Sequence, residues 1–373
     1  ELQDDISRIE FSLPDKELIL ERLDYLLSDD GLKSKALGPE ERDKIAEAAL
    51  GMTTWEAENA MALSLIELSR VDYKTIATEK ARAVSKSGIL EFYEPNVNMS
   101  DIGGLDNLKT WLKTRRNAFS KEAKEYGLPD PKGILLVGVP GCGKSLTAKA
   151  VAADWNLPLI RFDLGKLFQG LVGAAEENVR RAIATAEAVA PVVMWIDEIE
   201  KGMAGSGSSG STDSGVTARV FGSLLTWLQD RKRPVFVVAT ANQIQNLPPE
   251  LMRAGRWDEM FSVDLPSQKE REEVFKIHLR KRHRDPENFN LEYLSKESAQ
   301  FSPAEIEQVI VKGMFKAFSD NREVTTEDLM EALSVTVPLS VTRKEDIEAL
   351  RRWAQTRAVP ASSSEPPKLG DES

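Results

Sequence analysis

Apolar and polar residues follow two different rhythms along this chain. Residues 1–92 carry helical spacing almost throughout. In Lys16–Leu27 the apolar residues Leu18, Ile19, Leu23, Leu26 and Leu27 recur at the steps of one buried helix face. Gly31 and the Gly38-Pro39 pair interrupt that pattern. Glu40–Leu50 predicts a second helix. Thr53 and Thr54 offer a cap for a third, through Trp55 to Leu68, and Thr75–Val84 predicts a fourth. Nothing in this stretch has the spacing of a metal site or of a nucleophile with its base.

After a linker over Pro95–Asp106, short apolar runs alternate with helical ones. Gly133–Val137, Leu157–Phe162, Pro191–Ile196, Pro234–Ala239 and Met260–Pro266 read as strands. Pro191–Ile196 is apolar throughout, as in a strand buried on both faces of a parallel sheet. Trp111–Tyr126, Leu146–Ala153, Glu176–Val189 and Val216–Gln229 read as helices. This order predicts a three-layer α/β domain with a parallel sheet. Helices follow at Lys269–Lys281, Leu291–Ala299, Pro303–Phe318 and Thr326–Ser334, the last capped by Thr325 or Thr326. Ala204–Gly215 is nearly all Gly and Ser and reads as a flexible loop, and residues beyond about Arg357 read as disordered.

The chemistry concentrates where strands end. Gly138-Val-Pro-Gly-Cys-Gly-Lys-Ser145 lies between a strand and a helix, the setting a phosphate-binding loop needs. Gly138, Val139, Pro140, Gly141, Cys142 and Gly143 would turn backbone N–H groups onto phosphate oxygens, and Leu146 opens a helix whose N-terminus favours anions. Lys144 would reach the β- and γ-phosphates, and the Ser145 hydroxyl would ligate Mg²⁺. Asp197 and Glu198 end the apolar strand; Asp197 suits the Mg²⁺ shell and Glu198 the polarising of an attacking water. Asn242 ends the next strand and either orients that water or is a plain turn asparagine. Arg253 and Arg256 flank a glycine; as exposed guanidiniums they suit phosphate recognition across a subunit boundary, or simple surface ion pairs.

Composition narrows the partners. The chain has 373 residues, 41% apolar and 29% charged, enough for two or three domains with ample core. A net charge of −11 argues against broad nucleic-acid binding. Arg280-Lys-Arg-His-Arg284 reads as a solvated helix end. The single cysteine, Cys142, allows no intrachain disulfide and suggests a reducing, cytoplasmic-type compartment. It is either a small residue filling the loop or a redox switch. No run is apolar and long enough for a transmembrane helix, and no signal peptide is visible. The chain opens on Glu1, so a longer or processed parent is expected.

Together these pieces resemble the AAA ATPase family, in the clade of the proteasomal, katanin-like and membrane-remodelling ATPases. The resemblance covers about residues 98–336. The phosphate loop is similar to Walker A, Trp195-Ile-Asp-Glu198 to Walker B and Ala239-Thr-Ala-Asn242 to sensor 1, which implies a water-positioning Asn242. Arg253 and Arg256 match paired arginine fingers that act on a neighbouring subunit's ATP. Asp101-Ile-Gly-Gly matches the segment lining the adenine pocket, so Ile102 and Gly103 carry over; His278 matches an adenosine-contacting histidine, and Ala304 would stand near the base. Two positions depart from the family: Leu171-Val172 stands where threading members often place an aromatic pore residue, and Ala174-Ala175 replaces an acidic-serine continuation. The overall pattern resembles the plastid and cyanobacterial members, which adds the plastid stroma as a location.

The resemblance also prompts a comparison within the chain. Ile9–Glu17 parallels Met260–Glu270, and Lys44–Glu58 parallels Leu294–Ile306. The expected organisation is therefore a lid-like helical module over 1–92, a remnant of an upstream degenerate AAA unit. An α/β nucleotide-binding domain over 93–265 follows, then a helical lid over 266–336, and a C-terminal helix with a disordered tail over 337–373. The expected activity is Mg²⁺-dependent ATP hydrolysis by a self-associating ring, most simply a hexamer, that remodels a protein partner. An ATP-binding switch or scaffold with little turnover is the first alternative, and a nucleic-acid motor or loader the second.

Overall fold

The computed structural model describes residues 14–28, 37–50, 52–85, 90–94, 96–167, 174–202, 213–253 and 255–369. Leu171-Val172, most of the Gly/Ser loop and the start of the Ile9–Glu17 parallel lie outside them. Three apolar cores organise what is described.

The N-terminal core gathers Leu23, Ile45, Met61 and Ile76. They come from α1 (Lys16–Leu27), α2 (Pro39–Ala49), α3 (Thr54–Leu68) and α4 (Tyr73–Ser85). The helix starts follow their capping chemistry. Asp15 accepts the Leu18 N–H at 2.9 Å, and Thr53 and Glu56 cap α3 reciprocally. α1 packs on α2 and α3, and α4 packs on the same two helices.

The second core surrounds the sheet. β1 (Leu90–Tyr93) leads to α5 (Asp106–Arg115), α6 (Lys121–Glu125), β2 (Gly133–Gly138), α7 (Lys144–Trp155), β3 (Leu159–Phe162), α8 (Leu164–Leu167), α9 (Ala174–Val189), β4 (Val192–Ile196), α10 (Asp213–Asp230), β5 (Val235–Ala241) and β6 (Glu259–Val263). Asp213–Gly215, expected as flexible loop, already belong to α10. β2, β4 and β5 are wholly buried, as their unbroken apolar runs predict. α7 crosses β2, β4 and β5, α9 packs on β4, and α4 rests on β1 and α9, which seats the N-terminal unit on the sheet's edge.

Three expectations need correction. The sheet is mixed rather than wholly parallel: β1 runs antiparallel to β3, and it straddles the boundary expected at residue 92. Leu90 is fully buried in the sheet's core, and Glu91 reaches across to Arg161 and Lys166, so this strand belongs with the sheet. Trp111–Tyr126 is two helices, because Ser120 accepts the Ala123 N–H at 3.2 Å and caps a new start. The stretch beyond Arg357 is ordered through residue 369. Its strand β7 follows the lid and α15 (Leu339–Thr342) and α16 (Lys344–Ala354); it comprises Val359–Pro360 and lies parallel to β6, with Ala361 fully buried and its N–H donated to Ser262 O at 2.9 Å. The order across the sheet is β1-β3-β4-β5-β2-β6-β7.

The third core is the lid: Phe275, Leu294, Ile306 and Leu329, from α11 (Gln268–Lys281), α12 (Leu291–Glu297), α13 (Pro303–Ser319) and α14 (Thr326–Ser334). α11 packs on α12 and α13, and α14 on the same two. These are the pairings of α1–α4, in the same chain order. The C-terminal stretch ties lid to sheet: Arg351 makes a two-pronged pair with Asp264 at 2.7 and 2.8 Å, and Ser362 and Ser364 both donate to Glu270 of α11.

Candidate nucleotide site

β5 lies between β4 and β2 in a parallel array, so the segments after all three strands meet at one edge. The phosphate loop follows β2, Asp197 and Glu198 follow β4, and Asn242 follows β5. The loop's turn uses left-handed backbone at Gly141 (φ +78°) and Gly143 (φ +87°), which side chains beyond glycine rarely adopt. Lys144 is buried, and its Nζ donates to the carbonyls of Gly138 and Val139 at 2.8 and 2.7 Å. Burial pushes its ammonium down to about 8. Cys142 is buried too, and burial pushes its thiol up to about 12, which disfavours the thiolate a redox switch needs.

Ser145 Oγ donates to Asp197 Oδ1 at 2.8 Å. A hydroxyl and a carboxylate side by side are the hard oxygen donors that fit Mg²⁺, which takes one or two protein ligands beside substrate phosphates. Glu198 occupies left-handed backbone (φ +48°), a conformation that costs a non-glycine residue about 1–2 kcal/mol. Its Oε1 accepts from Asn242 Nδ2 at 2.9 Å, and its Oε2 pairs with Lys201. The fold thus brings Ser145 to Asp197 and Asn242 to Glu198.

Two residues to which the sequence pattern assigns no role complete the frame. The Glu198 N–H donates to Thr240 Oγ1 at 2.9 Å, and that hydroxyl donates to Asp197 Oδ1 at 2.7 Å. Glu200 is buried, and its Oε1 accepts the Asn242 N–H at 2.8 Å; burial pushes its carboxyl above its ordinary value. A threonine inside a strand reads as ordinary β composition. Glu200, an acidic residue two places past Glu198, is the only advance signal of this second layer.

The lid closes the other side. Ala304 is exposed on the first turn of α13, and its N–H donates to Gly141 O at 3.1 Å, so lid and phosphate loop touch. Ile102 is buried, and Gly103 lies so close to α11 that a Cβ there would stand 2.7 Å from Val274 Cγ2. The Gly104 N–H donates to Glu273 at 3.0 Å and the Leu105 N–H to Glu270 at 3.3 Å. His278 follows Val274 by one turn on the same face. Its Nδ1 lies 3.5 Å from Glu307 Oε1; burial holds its pKa below the ordinary value, leaving it neutral at pH 7.

The arginine pair divides. Arg253 is exposed, as expected, but Arg256 is buried, and its Nε and Nη1 have no hydrogen-bond partner among the described residues. The turn that carries both folds inward because Trp257 is buried and donates its indole N–H to Leu251 O at 2.9 Å. No helix among the described residues is long and apolar enough to cross a membrane.

Residues 134–265 match the ATPase family associated with various cellular activities (AAA), and residues 17–87 match the SpoVK-like AAA ATPase, second domain. A Guillardia theta protein named uncharacterized AAA domain-containing protein ycf46 is 45% identical over 373 residues, covering 97% of this chain and 71% of its own. Its namesake in Pyropia yezoensis is 47% identical over 316 residues, 84% of this chain and 64% of its own. The proteasome-activating nucleotidase of Saccharolobus solfataricus is 37% identical over 246 residues, 64% of this chain and 62% of its own. The chain is thus shorter than each of these relatives. The family matches fall on the sheet domain and on the N-terminal helices, and the Guillardia relative runs through both: the chain belongs to the AAA ATPase family, among proteins of the ycf46 type.

Proposed function

We propose that this chain hydrolyses ATP with Mg²⁺ as a self-assembled ring, a hexamer by family resemblance, and uses the cycle to remodel a protein partner in the plastid stroma or an equivalent cytoplasm. The observation that carries the reading is the meeting of Ser145 with Asp197 and of Asn242 with Glu198 at one sheet edge. Ser145 and, through water, Asp197 would hold Mg²⁺, which neutralises charge on the β- and γ-phosphates. Lys144 would leave its loop carbonyls for those phosphates. Glu198 is the base that takes a proton from the attacking water, and Asn242 orients its carboxylate and that water. Ile102, Gly103, His278 and Ala304 would frame the base and ribose. Arg253 would reach a neighbour's phosphates, with Arg256 buried behind it until assembly.

Glu198→Gln keeps the shape and removes the base. It should bind ATP with wild-type affinity and lose turnover by about 100-fold or more, the scale of general-base catalysis. Retained turnover would remove Glu198 from the role. One observation favours a second reading, an ATP-gated switch with little turnover: Lys201 is paired with Glu198 and would have to release it. A wild-type chain that binds ATP tightly yet shows no turnover above the Glu198→Gln background would support that reading.

We also propose that the N-terminal unit is a second AAA lid, the remnant of an upstream AAA unit. The four helix pairings it shares with α11–α14, in the same order, and the family match over residues 17–87 support this.

A further inference from the structure

Glu198 is held in a backbone conformation that glycine prefers, at the place where the base of the reaction must stand. Something must hold it there. A single residue of the neighbouring strand contacts both sides of the strained unit. The Glu198 N–H donates to Thr240 Oγ1 at 2.9 Å, and the next amide, Ile199 N–H, donates to Thr240 O at 2.9 Å. The same hydroxyl spends its proton on Asp197 Oδ1 at 2.7 Å. Thr240 is 1% exposed, so water does not replace these bonds. The buried hydroxyl thus accepts from Glu198 and donates to Asp197, so one group ties two successive residues.

We propose that Thr240 is a positioning residue for ATP hydrolysis: it clamps Glu198 in left-handed backbone and fixes the Asp197 carboxylate. This rests on the hydrolysis reading above. Asn242 lies two residues further along the same chain and holds the Glu198 carboxylate at 2.9 Å. One strand end therefore grips the base twice, by its backbone through Thr240 and by its carboxylate through Asn242. Ser145 and Thr240 share Asp197 Oδ1, so when Ser145 turns to the metal, Thr240 remains as the donor that keeps the carboxylate aimed.

The test compares Thr240→Val, which keeps shape and β-branching but loses the hydroxyl, with Thr240→Ser, which restores it. Three quantities are read: kcat and KM for ATP, the Mg²⁺ concentration at half-maximal nucleotide affinity, and the affinity for a fluorescent ADP analogue in EDTA. The EDTA affinity reports the folded phosphate loop without metal. In Thr240→Val, kcat should fall about 10- to 100-fold with KM within about threefold, as for a displaced catalytic group. The Mg²⁺ requirement should rise several-fold, EDTA affinity should not change, and Thr240→Ser should recover most of the loss. Unchanged kcat and Mg²⁺ requirement in Thr240→Val overturns the proposal. So does a loss of EDTA affinity that Thr240→Ser fails to restore, which would make Thr240 a residue of the fold alone. If wild type binds nucleotide without turnover, the hydrolysis reading fails, and the Mg²⁺ requirement decides Thr240 by itself.

Discussion

Two four-helix units in this molecule share one packing scheme and differ in what they touch. In the C-terminal lid, α13 begins against the phosphate loop, with the Ala304 N–H on Gly141 O. In the N-terminal unit, α3 begins with the same reciprocal capping box, but the residue two places past its cap is Trp55, which is 71% exposed. Counted from the caps of the first helices, His278 of α11 corresponds to Leu26 of α1. The pairing of helices follows from where apolar residues recur, and both units keep that pattern. The positions proposed to serve the nucleotide are few, one at the start of α13 and one in the last turn of α11, and there the two units diverge.

The comparison breaks most sharply if the N-terminal residue is moved to the lid. Ala304→Trp puts an indole where lid and phosphate loop approach within hydrogen-bond distance. The indole would hold α13 off the phosphate loop, so ATP affinity measured by titration should fall about 10- to 100-fold, a loss of about 1.4–2.8 kcal/mol. Wild-type affinity in Ala304→Trp would show that the lid does not close on the nucleotide.

The next effect belongs to Lys144. Burial holds its pKa at about 8 in the free chain, and bound phosphates would raise it. On the proposed reading it is the charged form that binds ATP. Affinity should therefore be full below pH 8 and weaken above it, approaching tenfold per pH unit until the raised pKa of the bound state is reached. Affinity that stays flat across that range contradicts the assignment of Lys144 to the phosphates. The smallest effect is the reciprocal change: on the proposed reading, in which only the C-terminal lid serves the nucleotide, Trp55→Ala should leave ATPase rate and ATP affinity within about twofold. A large loss would mean that α3 acts on the site.

Much of this was legible in the pattern of residues. β2, β4 and β5 are unbroken apolar runs, and the polar residues that end them are the ones that meet. β1 was hidden because Leu90–Tyr93 is only four residues long and mixes polar and aromatic residues. β7 was hidden because its two residues sit among Ser and Pro, and its pairing is with a strand about a hundred residues away. The burial of Arg256 depends on Trp257 turning inward, which spacing does not encode. Thr240 was hidden because a strand threonine is ordinary; its meaning comes from the left-handed turn at Glu198, just past the end of the adjacent strand.

The most direct test of the central claim is ATPase rate per subunit against protein concentration, with particle mass followed in ATP and in ADP. If sites are completed by a neighbour's Arg253, rate per subunit should rise with concentration as a ring mass appears in ATP, and Arg253→Ala should assemble without that rise. A rate per subunit that is constant from dilute monomer upward would contradict the shared site.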